Sequence, residues 1–267
     1  PVVLDFGLES PFLLDPGPDA DVDAWTAAIF RRMEDAGVRV AVGRWGEARA
    51  WYTSDDYRVE TDEGPEWRTV HLGLDLFAPA GTEVRAPLDG TVVAAVDRDA
   101  RLDYGPTVVL RHEVPDEDGG SSANPRTLVF QTLYGHLGRE TLDRLSVGDR
   151  VERGQVIATL GDAAVNGGWA PHLHLQVLVD DFGDPAGQPG VARPGREAVW
   201  RSISPDPGAL CCVEVAAAPG PASTDALLER RRDLLGPNLS VSYEEPVHVV
   251  RGWMQHLYDD RGQRHLD

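Results

Sequence analysis

Apolar side chains recur at helical spacing in one segment near the start of the chain. Trp25, Ile29, Phe30 and Met33 follow one another at intervals of four, one and three, and Gly37 ends the run. This spacing predicts a helix over about 21–36. Apolar runs at 38–42 and 48–52 predict two short strands, and the acidic stretch 53–67 predicts a loop or a hairpin tip.

From Val70 onward the pattern changes to short apolar runs separated by Gly and Pro. This texture is typical of all-β domains, and it predicts strands at 91–96, 107–112, 127–133, 155–160 and 172–178. The segment 115–125 is expected to be a turn-rich insertion, and 180–194 to be another irregular connection.

The texture changes again near residue 215. Residues 216–223 have the Ala- and Pro-rich composition of a linker, and a charged helix is predicted over 224–235, ending at Gly236 and Pro237. Two further strands are expected at 253–258 and 265–267. These last residues are too few to bury their own apolar side chains, so they are interpreted as the beginning of a further domain.

Charge narrows the range of partners. The 267 residues include 25 basic side chains, all of them arginine, and 44 acidic ones, which gives a net charge of −19. Such a surface repels phosphate backbones and anionic membranes, so neither nucleic acid nor a membrane is an expected partner. The two cysteines are adjacent and close no long loop. The chain begins at Pro1 and shows no export signal, so we expect a piece of a longer, cytoplasmic protein.

Four of the eight histidines lie in three short, Gly-flanked clusters. His71 precedes Asp75 by four residues, His136 stands in a Tyr-Gly-His turn, and His172 and His174 alternate with leucines. Residues two or four apart in an extended segment face the same side. His71 and Asp75 are therefore expected to converge, and so are His172 and His174. The remaining histidines are expected to bind no metal, and His112 to lie at the surface.

Two imidazoles and one carboxylate form a donor set that suits zinc. We assign His71, Asp75 and His174 as ligands of one catalytic Zn²⁺, because three protein ligands leave a fourth position for water. His136 and His172 then remain as catalytic residues. One would accept or position the proton of the attacking water, and the other would stabilise the oxyanion; the spacing does not say which.

The three clusters resemble those of the lysostaphin-type (LytM-like) zinc endopeptidases, which cut peptide cross-links of bacterial peptidoglycan. The resemblance spans about 68–179 and includes the intervening motifs Gly81-Thr82-x-Val84, Asp89-Gly90-x-Val92 and Val151-x-x-Gly154-Gln155. It implies a mainly β fold, an antiparallel sandwich or barrel of the duplicated hybrid motif type, and the same ligand and catalytic assignments. In place of the family's Gly-Thr-Gly-like turn, residues 161–170 form a longer segment in which Trp169 is a candidate for the cleft wall.

A second resemblance concerns the C-terminal residues. The segments 235–240, 250–252 and 257–267 look like the opening of class-III pyridoxal-phosphate aminotransferases, although the chain has no lysine to hold that cofactor. The predicted division is an N-terminal arm (1–66) with a helix and short strands, a zinc peptidase domain (67–215), a linker and helix (216–235), and the start of an aminotransferase-like domain (236–267). The C-terminal part is expected to be a short α/β extension.

The expected function is that of a zinc metallopeptidase domain within an aminotransferase fusion protein. Its substrate would be a peptidoglycan-type peptide or a small cytosolic peptide, and its partner the neighbouring aminotransferase domain. One alternative is a non-catalytic spacer or regulatory module. Another is a phosphocarrier that uses two histidines, although such a carrier needs no ligand like Asp75.

Overall fold

The computed structural model describes residues 1–17, 20–62, 64–121, 124–215, 223–235, 246–253 and 256–266. The strands are β1 (Val2–Leu4), β2 (Ala41–Gly43), β3 (Arg58–Thr61), β4 (Gly64–Trp67), β5 (Val70–His71), β6 (Leu74–Phe77), β7 (Glu83–Arg85), β8 (Gly90–Arg98), β9 (Gly105–Ser121), β10 (Asn124–Gly135), β11 (Arg150–Val151), β12 (Val156–Thr159), β13 (His172–Leu178), β14 (Val191–Ala192), β15 (Val249–Trp253), β16 (His256–Asp259) and β17 (Arg264–Leu266). The helices are α1 (Val22–Asp35), α2 (Thr141–Arg144), α3 (Glu197–Ile203), α4 (Gly208–Cys211) and α5 (Thr224–Leu235), with 3-10 turns at Pro11–Leu14, Asp55–Tyr57 and Pro194–Arg196.

One eight-stranded sheet organises the molecule, in the order β1-β2-β6-β13-β10-β9-β8-β11. Every neighbouring pair in it is antiparallel except β1 and β2. The expected mainly β, antiparallel fold is therefore confirmed.

The main core lies between this sheet and the two-stranded ladder of β7 and β12. Val84 and Ile157 of the ladder join Leu110, Tyr134 and other buried side chains of the large sheet in one cluster. All seven residues of β13 are buried, because both faces of this strand are covered. Leu173 and Leu175 face the cluster, as the alternation in the sequence predicts. The histidines that alternate with them, His172 and His174, face the other way.

The predicted helix of the N-terminal arm is confirmed as α1. The Asp21 side chain caps it by accepting from the Ala24 amide, and Trp25, Ile29 and Met33 form its buried face. These side chains pack with Phe6 and with Phe77 of β6. The arm is thereby attached to the same sheet that carries the histidine clusters.

The C-terminal strands pack against the N-terminal arm. Tyr258 is buried in the α1 cluster, and the Arg251 guanidinium donates to the Leu8 and Ser10 carbonyls. Gln263 exchanges two hydrogen bonds with the backbone of Trp67, at 2.8 and 3.0 Å. Residues 216–222 of the predicted linker lie outside the described residues. The same holds for the predicted helix end at 236–237 and for most of the 235–240 motif.

Three of the sequence predictions, for residues 48–52, for segment 115–125 and for His112, are wrong. Residues 48–52 form no strand, since they contribute only the isolated bridges of Ala48 and Arg49. Segment 115–125 is no insertion, because β9 and β10 continue their ladder into it. His112 is fully buried, since its ring bonds the Asp89 carbonyl at 2.8 Å and the Thr132 hydroxyl at 2.7 Å.

Other predictions are confirmed. The stretch 53–67 contains the β3–β4 hairpin, and the helix at 224–235 is α5. Among the described helices, none has both the length and the apolar character that crossing a bilayer requires.

Candidate metal centre

The sheet register brings the first and third histidine clusters side by side. His174 of β13 lies directly opposite Asp75 of β6, and His172 lies opposite Phe77. His71 ends β5, only a few residues before Asp75. Gly135, the last residue of β10, pairs with His174 on the other side, so the His136 turn begins beside the same strand.

Three of the side chains converge on one point. The His71 Nε2 atom lies 3.0 Å from His174 Nδ1 and 3.2 Å from Asp75 Oδ1, and His174 Nδ1 lies 3.4 Å from Asp75 Oδ1. A tetrahedral zinc ion with ligand distances of about 2.0–2.2 Å separates its ligands by roughly 3.3–3.6 Å. In the described part of the chain, His71, Asp75 and His174 form the group whose potential ligand atoms all lie within 4.8 Å of one another.

Hydrogen bonds on the far side of each ring determine which nitrogen carries the proton. His71 Nδ1 lies 3.0 Å from the Arg44 carbonyl, which can only accept, so the proton is on Nδ1 and Nε2 has a free lone pair. Burial, with the Arg49 guanidinium nearby, lowers the pKa of His71 to about 4. At neutral pH the ring is therefore uncharged.

Gln176 orients the second ring in the same way. Its amide nitrogen donates to the Pro189 carbonyl and to the Ser204 hydroxyl, so its Oε1 atom is the acceptor that faces His174. The His174 Nε2–H donates to that oxygen at 3.1 Å, which leaves Nδ1 without a proton. Tyr104 donates its hydroxyl to the same oxygen at 3.2 Å.

The converging atoms are thus two nitrogen lone pairs and a carboxylate oxygen. Asp75 Oδ1 is buried and has no hydrogen-bond donor. Three such atoms at 3.0–3.4 Å repel one another unless a cation lies between them. The donor set and the spacing both fit a zinc ion.

The other two predicted site residues lie against this cluster. The rings of His136 and His172 are 4.2 Å apart, and His172 Nε2 lies 3.6 Å from Asp75 Oδ1. The Nδ1–H groups donate to the carbonyls of Asn166 and Ala170, at 2.8 and 2.7 Å. Both Nε2 atoms therefore have free lone pairs. Burial lowers the pKa of each ring, so each remains a neutral base at neutral pH.

Comparison with known proteins gives a family match for the part of the chain that contains this site. Residues 69–185 match the model described as Peptidase family M23. This part of the chain is similar to Peptidase family M23. It contains all five of the predicted site residues, whereas the N-terminal arm and the C-terminal strands lie outside it.

Individual relatives match only part of the chain. The DD-carboxypeptidase/endopeptidase Mpg of Neisseria meningitidis is 32% identical over 131 residues, which are 49% of this chain and 24% of that protein. The chain therefore spans about a quarter of that relative's length. The crystallised catalytic domain of lysostaphin from Staphylococcus simulans is 27% identical, with 52% of this chain and 83% of that one covered and a TM-score of 0.31.

The resemblance to aminotransferases has a shorter match among the known proteins. The mitochondrial alanine–glyoxylate aminotransferase 2 homolog 2 of Arabidopsis thaliana is 42% identical over 45 residues, which are 17% of this chain and 9% of that protein. A match of this length does not show an aminotransferase fusion, which stays a prediction.

A residue from outside the segment that matches the M23 model holds the Asp75 carboxylate. Arg49 is 1% exposed, and its Nη1 atom donates to Asp75 Oδ2 at 2.7 Å. Its Nε donates to Glu47, and Tyr52 accepts a further bond. Burial by itself would raise the pKa of the Asp75 carboxyl, but His71 and Arg49 outweigh this effect and hold the pKa well below its usual value. No local pattern in the sequence marks Arg49 as a residue of the site.

The candidate metal centre opens into a cavity of about 650 Å³ that all five predicted site residues line. Residues 167–170, including Trp169, form part of its wall, as predicted. Trp51 and Tyr52 of the N-terminal arm and Tyr258 of the C-terminal strands complete other walls.

Substitution of Gly73 tests how closely the side chains of the candidate metal centre are packed. A Cβ at this position would lie 2.5 Å from His174 Nε2, so Gly73→Ala must displace the ring. We expect the affinity for zinc to fall by roughly 10- to 100-fold, the usual effect of disturbing the support of a ligand. Zinc titration with a competing chelator measures it. Gly195→Ala, with no atom near the new Cβ, is the matched control; equal affinities for Gly73→Ala and wild type would contradict the packing argument.

The zinc-free protein is expected to lose stability as the pH falls from about 6.5 to 4. In the unfolded chain His71 takes up a proton near pH 6.5, whereas in the folded chain its ring stays neutral down to about pH 4. The unfolded state then binds more protons, so the free energy of unfolding falls, by roughly 3 kcal/mol from His71 alone. Urea unfolding across this range measures the slope. His71→Gln should have a shallower slope, and an equal slope would contradict the assignment.

Proposed function

We propose that the M23 domain is a zinc-dependent hydrolase that cleaves an amide bond in short peptides. The observation that carries the proposal is the convergence of His71 Nε2, His174 Nδ1 and Asp75 Oδ1, all without protons, at the base of a cavity. These three atoms would hold the ion and leave a coordination position free. When bound, the ion supplies Lewis acidity toward the amide carbonyl and toward water.

The chain's own residues supply the proton transfers. The Nε2 lone pairs of His136 and His172 face the cavity, and their carbonyl-bound Nδ1–H groups keep them in this tautomer. One of them would take the proton of the attacking water and return it to the leaving amine. The other would first take a proton from solvent on its Nε2 atom and would then donate it in a hydrogen bond to the oxyanion. His172 lies beside the Asp75 carboxylate, which favours a proton on its ring more than the surroundings of His136 do.

The shape of the cavity favours a short substrate over a polymer. Its volume of about 650 Å³ lies in the range of sites for small ligands. Walls from the N-terminal arm and the C-terminal strands stand beside the histidines. The net charge of −19 also disfavours docking to an anionic cell wall, which supports the expected cytoplasmic location.

The expected aminotransferase neighbour belongs to the same proposal. An amine released by amide hydrolysis is a chemically suitable substrate for a pyridoxal-phosphate aminotransferase. The short match to a plant aminotransferase supports this pairing. A spacer role is the competing function, and metal analysis separates the two.

The test uses protein purified without chelator and loaded with zinc. It is incubated with N-acetylated oligoglycine and oligoalanine peptides of both chiralities, with isolated muropeptides and with intact peptidoglycan, and products are identified by mass spectrometry. We expect cleavage of short peptides that stops when zinc is removed and returns when it is restored. Cleavage of intact wall alone would overturn the substrate class, and a protein that binds no zinc would favour the spacer.

A further inference from the structure

The cavity is positively charged although the chain is strongly acidic. Among the described residues, five arginines and three aspartates line it, a surplus of two positive charges before any metal is bound, whereas the chain as a whole has a net charge of −19. Charge of this sign in an enclosed site attracts anionic ligands. The excess therefore needs an explanation in terms of what the cavity binds.

Three of the lining arginines are paired with carboxylates of the protein. Arg49 pairs with Asp75 at 2.7 Å, Arg98 with Asp103 at 3.0 Å, and Arg101 with Asp56 at 2.6 Å. The other two are Arg68 and Arg264. Within the described part of the chain, no carboxylate lies within salt-bridge distance of either one.

The surroundings of Arg68 hold its guanidinium in place without neutralising it. One terminal nitrogen donates to the Asp56 carbonyl at 2.8 Å, and the group lies over the Tyr57 ring, 5.8 Å from its centre. Its Nε atom is buried and has no hydrogen-bond acceptor. A guanidinium oriented in this way keeps donors available for a planar anionic partner.

Arg264 lines the same cavity as Arg68, although it is far away in the sequence. Its guanidinium lies over the ring of Trp67, the residue before Arg68, at 5.4 Å from the ring centre. The two hydrogen bonds between Gln263 and the Trp67 backbone fix this contact. Arg264 lies far outside the residues that match the M23 family, and Arg68 directly precedes the first of them.

We propose that Arg68 and Arg264 bind a free terminal carboxylate of the peptide substrate while its amide lies at the histidine cluster. The substrates would then be short peptide acids rather than internal segments of a polymer. This inference rests on the proposed function for the choice of a peptide. A phosphate group has the same oxyanion chemistry, and the test separates it from a carboxylate.

The test measures binding in zinc-free protein, where no hydrolysis takes place. The protein is dialysed free of chelator, because chelators themselves carry carboxylates. The probes are N-acetyl-tetraalanine and N-acetyl-tetraglycine, each as the free acid and as the C-terminal amide, followed by calorimetry or tryptophan fluorescence. We expect at least one acid to bind roughly tenfold more tightly than its amide, as loss of a charge-assisted bond implies.

Two substitutions should remove this preference. In Arg68→Gln and in Arg264→Gln the ratio of acid to amide affinity should fall to about twofold or less while the amide affinity stays unchanged, since only the charge is lost. Arg68→Lys should keep only part of the preference, because the ammonium retains the charge but not the planar set of donors. Arg85→Gln, an exposed arginine paired with Glu83, is the matched control and should behave as wild type. Arg264→Gln keeps the test valid if Arg68→Gln folds poorly.

The outcomes distinguish this inference from the proposed function. Equal binding of acids and amides by the wild type would overturn the carboxylate site even if zinc-loaded protein hydrolyses peptides. An arginine-dependent preference without any hydrolysis would support the site and refute the hydrolase. If inorganic phosphate bound more tightly than acetate in an Arg68-dependent way, the assignment to a carboxylate would be overturned.

Discussion

Asp75→Asn is expected to lose zinc and, with it, all peptide hydrolysis. The substitution keeps the shape of the side chain but removes the negative charge that faces the His71 and His174 lone pairs. It also replaces the charge-assisted bond from Arg49 by a neutral one. Because disturbing supporting residues alone costs 10- to 100-fold, we expect the loss of a direct ligand to lower zinc affinity by at least about 100-fold. Competition with a coloured chelator measures it.

The control for this variant is Asp143→Asn, which changes an exposed carboxylate of α2. It should bind zinc as the wild type does. Urea unfolding of both variants in zinc-free buffer shows whether the folded state survives. If Asp75→Asn kept wild-type zinc affinity, Asp75 would not be a ligand.

His136→Ala is expected to keep zinc and to lose turnover. The ring belongs to the cavity wall and makes its one strong bond to the Asn166 carbonyl, so its removal leaves the three candidate ligands in place. Loss of a general acid–base group typically lowers the rate by about 10²- to 10⁴-fold. Steady-state kinetics on the best peptide of the panel, together with the zinc content, measures both effects.

His265→Ala provides the comparison for this experiment, since that histidine pairs with Asp259 in the C-terminal strands. It should keep both zinc and rate. An unchanged rate in zinc-loaded His136→Ala would refute the catalytic role of His136.

The sequence was most informative where local periodicity and function coincide. The alternation in β13 indicates which face His172 and His174 share, because a strand's side chains point to opposite faces in turn. The spacing of His71 and Asp75 places both near one strand end. Short range and regular geometry made these predictions possible, and the register between β6 and β13 then brings the clusters together.

Residues that act across long sequence distances were not predictable. Arg49 pairs with Asp75 across 26 positions, and Gln263 holds Trp67 across 196. No local pattern marks such partners, since an arginine in an acidic chain looks like any other surface charge. Arg264 reaches the cavity only through this tertiary packing.

The wrong predictions for segment 115–125 and for His112 also result from contacts between residues that are distant in the sequence. Segment 115–125 looks like a loop because Asp, Gly and Pro dominate it, yet the pairing of β9 with β10 extends the hairpin despite this composition. His112 looks like a surface residue, but the Thr132 hydroxyl and the Asp89 carbonyl satisfy its ring inside the fold. Tertiary contacts outweighed local propensity in both cases.

Diffraction at the zinc absorption edge, on crystals grown with zinc, tests the central claim most directly. The account predicts one anomalous peak in the cavity, about 2.0–2.2 Å from His71 Nε2, His174 Nδ1 and Asp75 Oδ1, with no fourth protein ligand. A cavity without a peak, a peak at Cys211 and Cys212 instead, or a fourth side chain completing the coordination would contradict it.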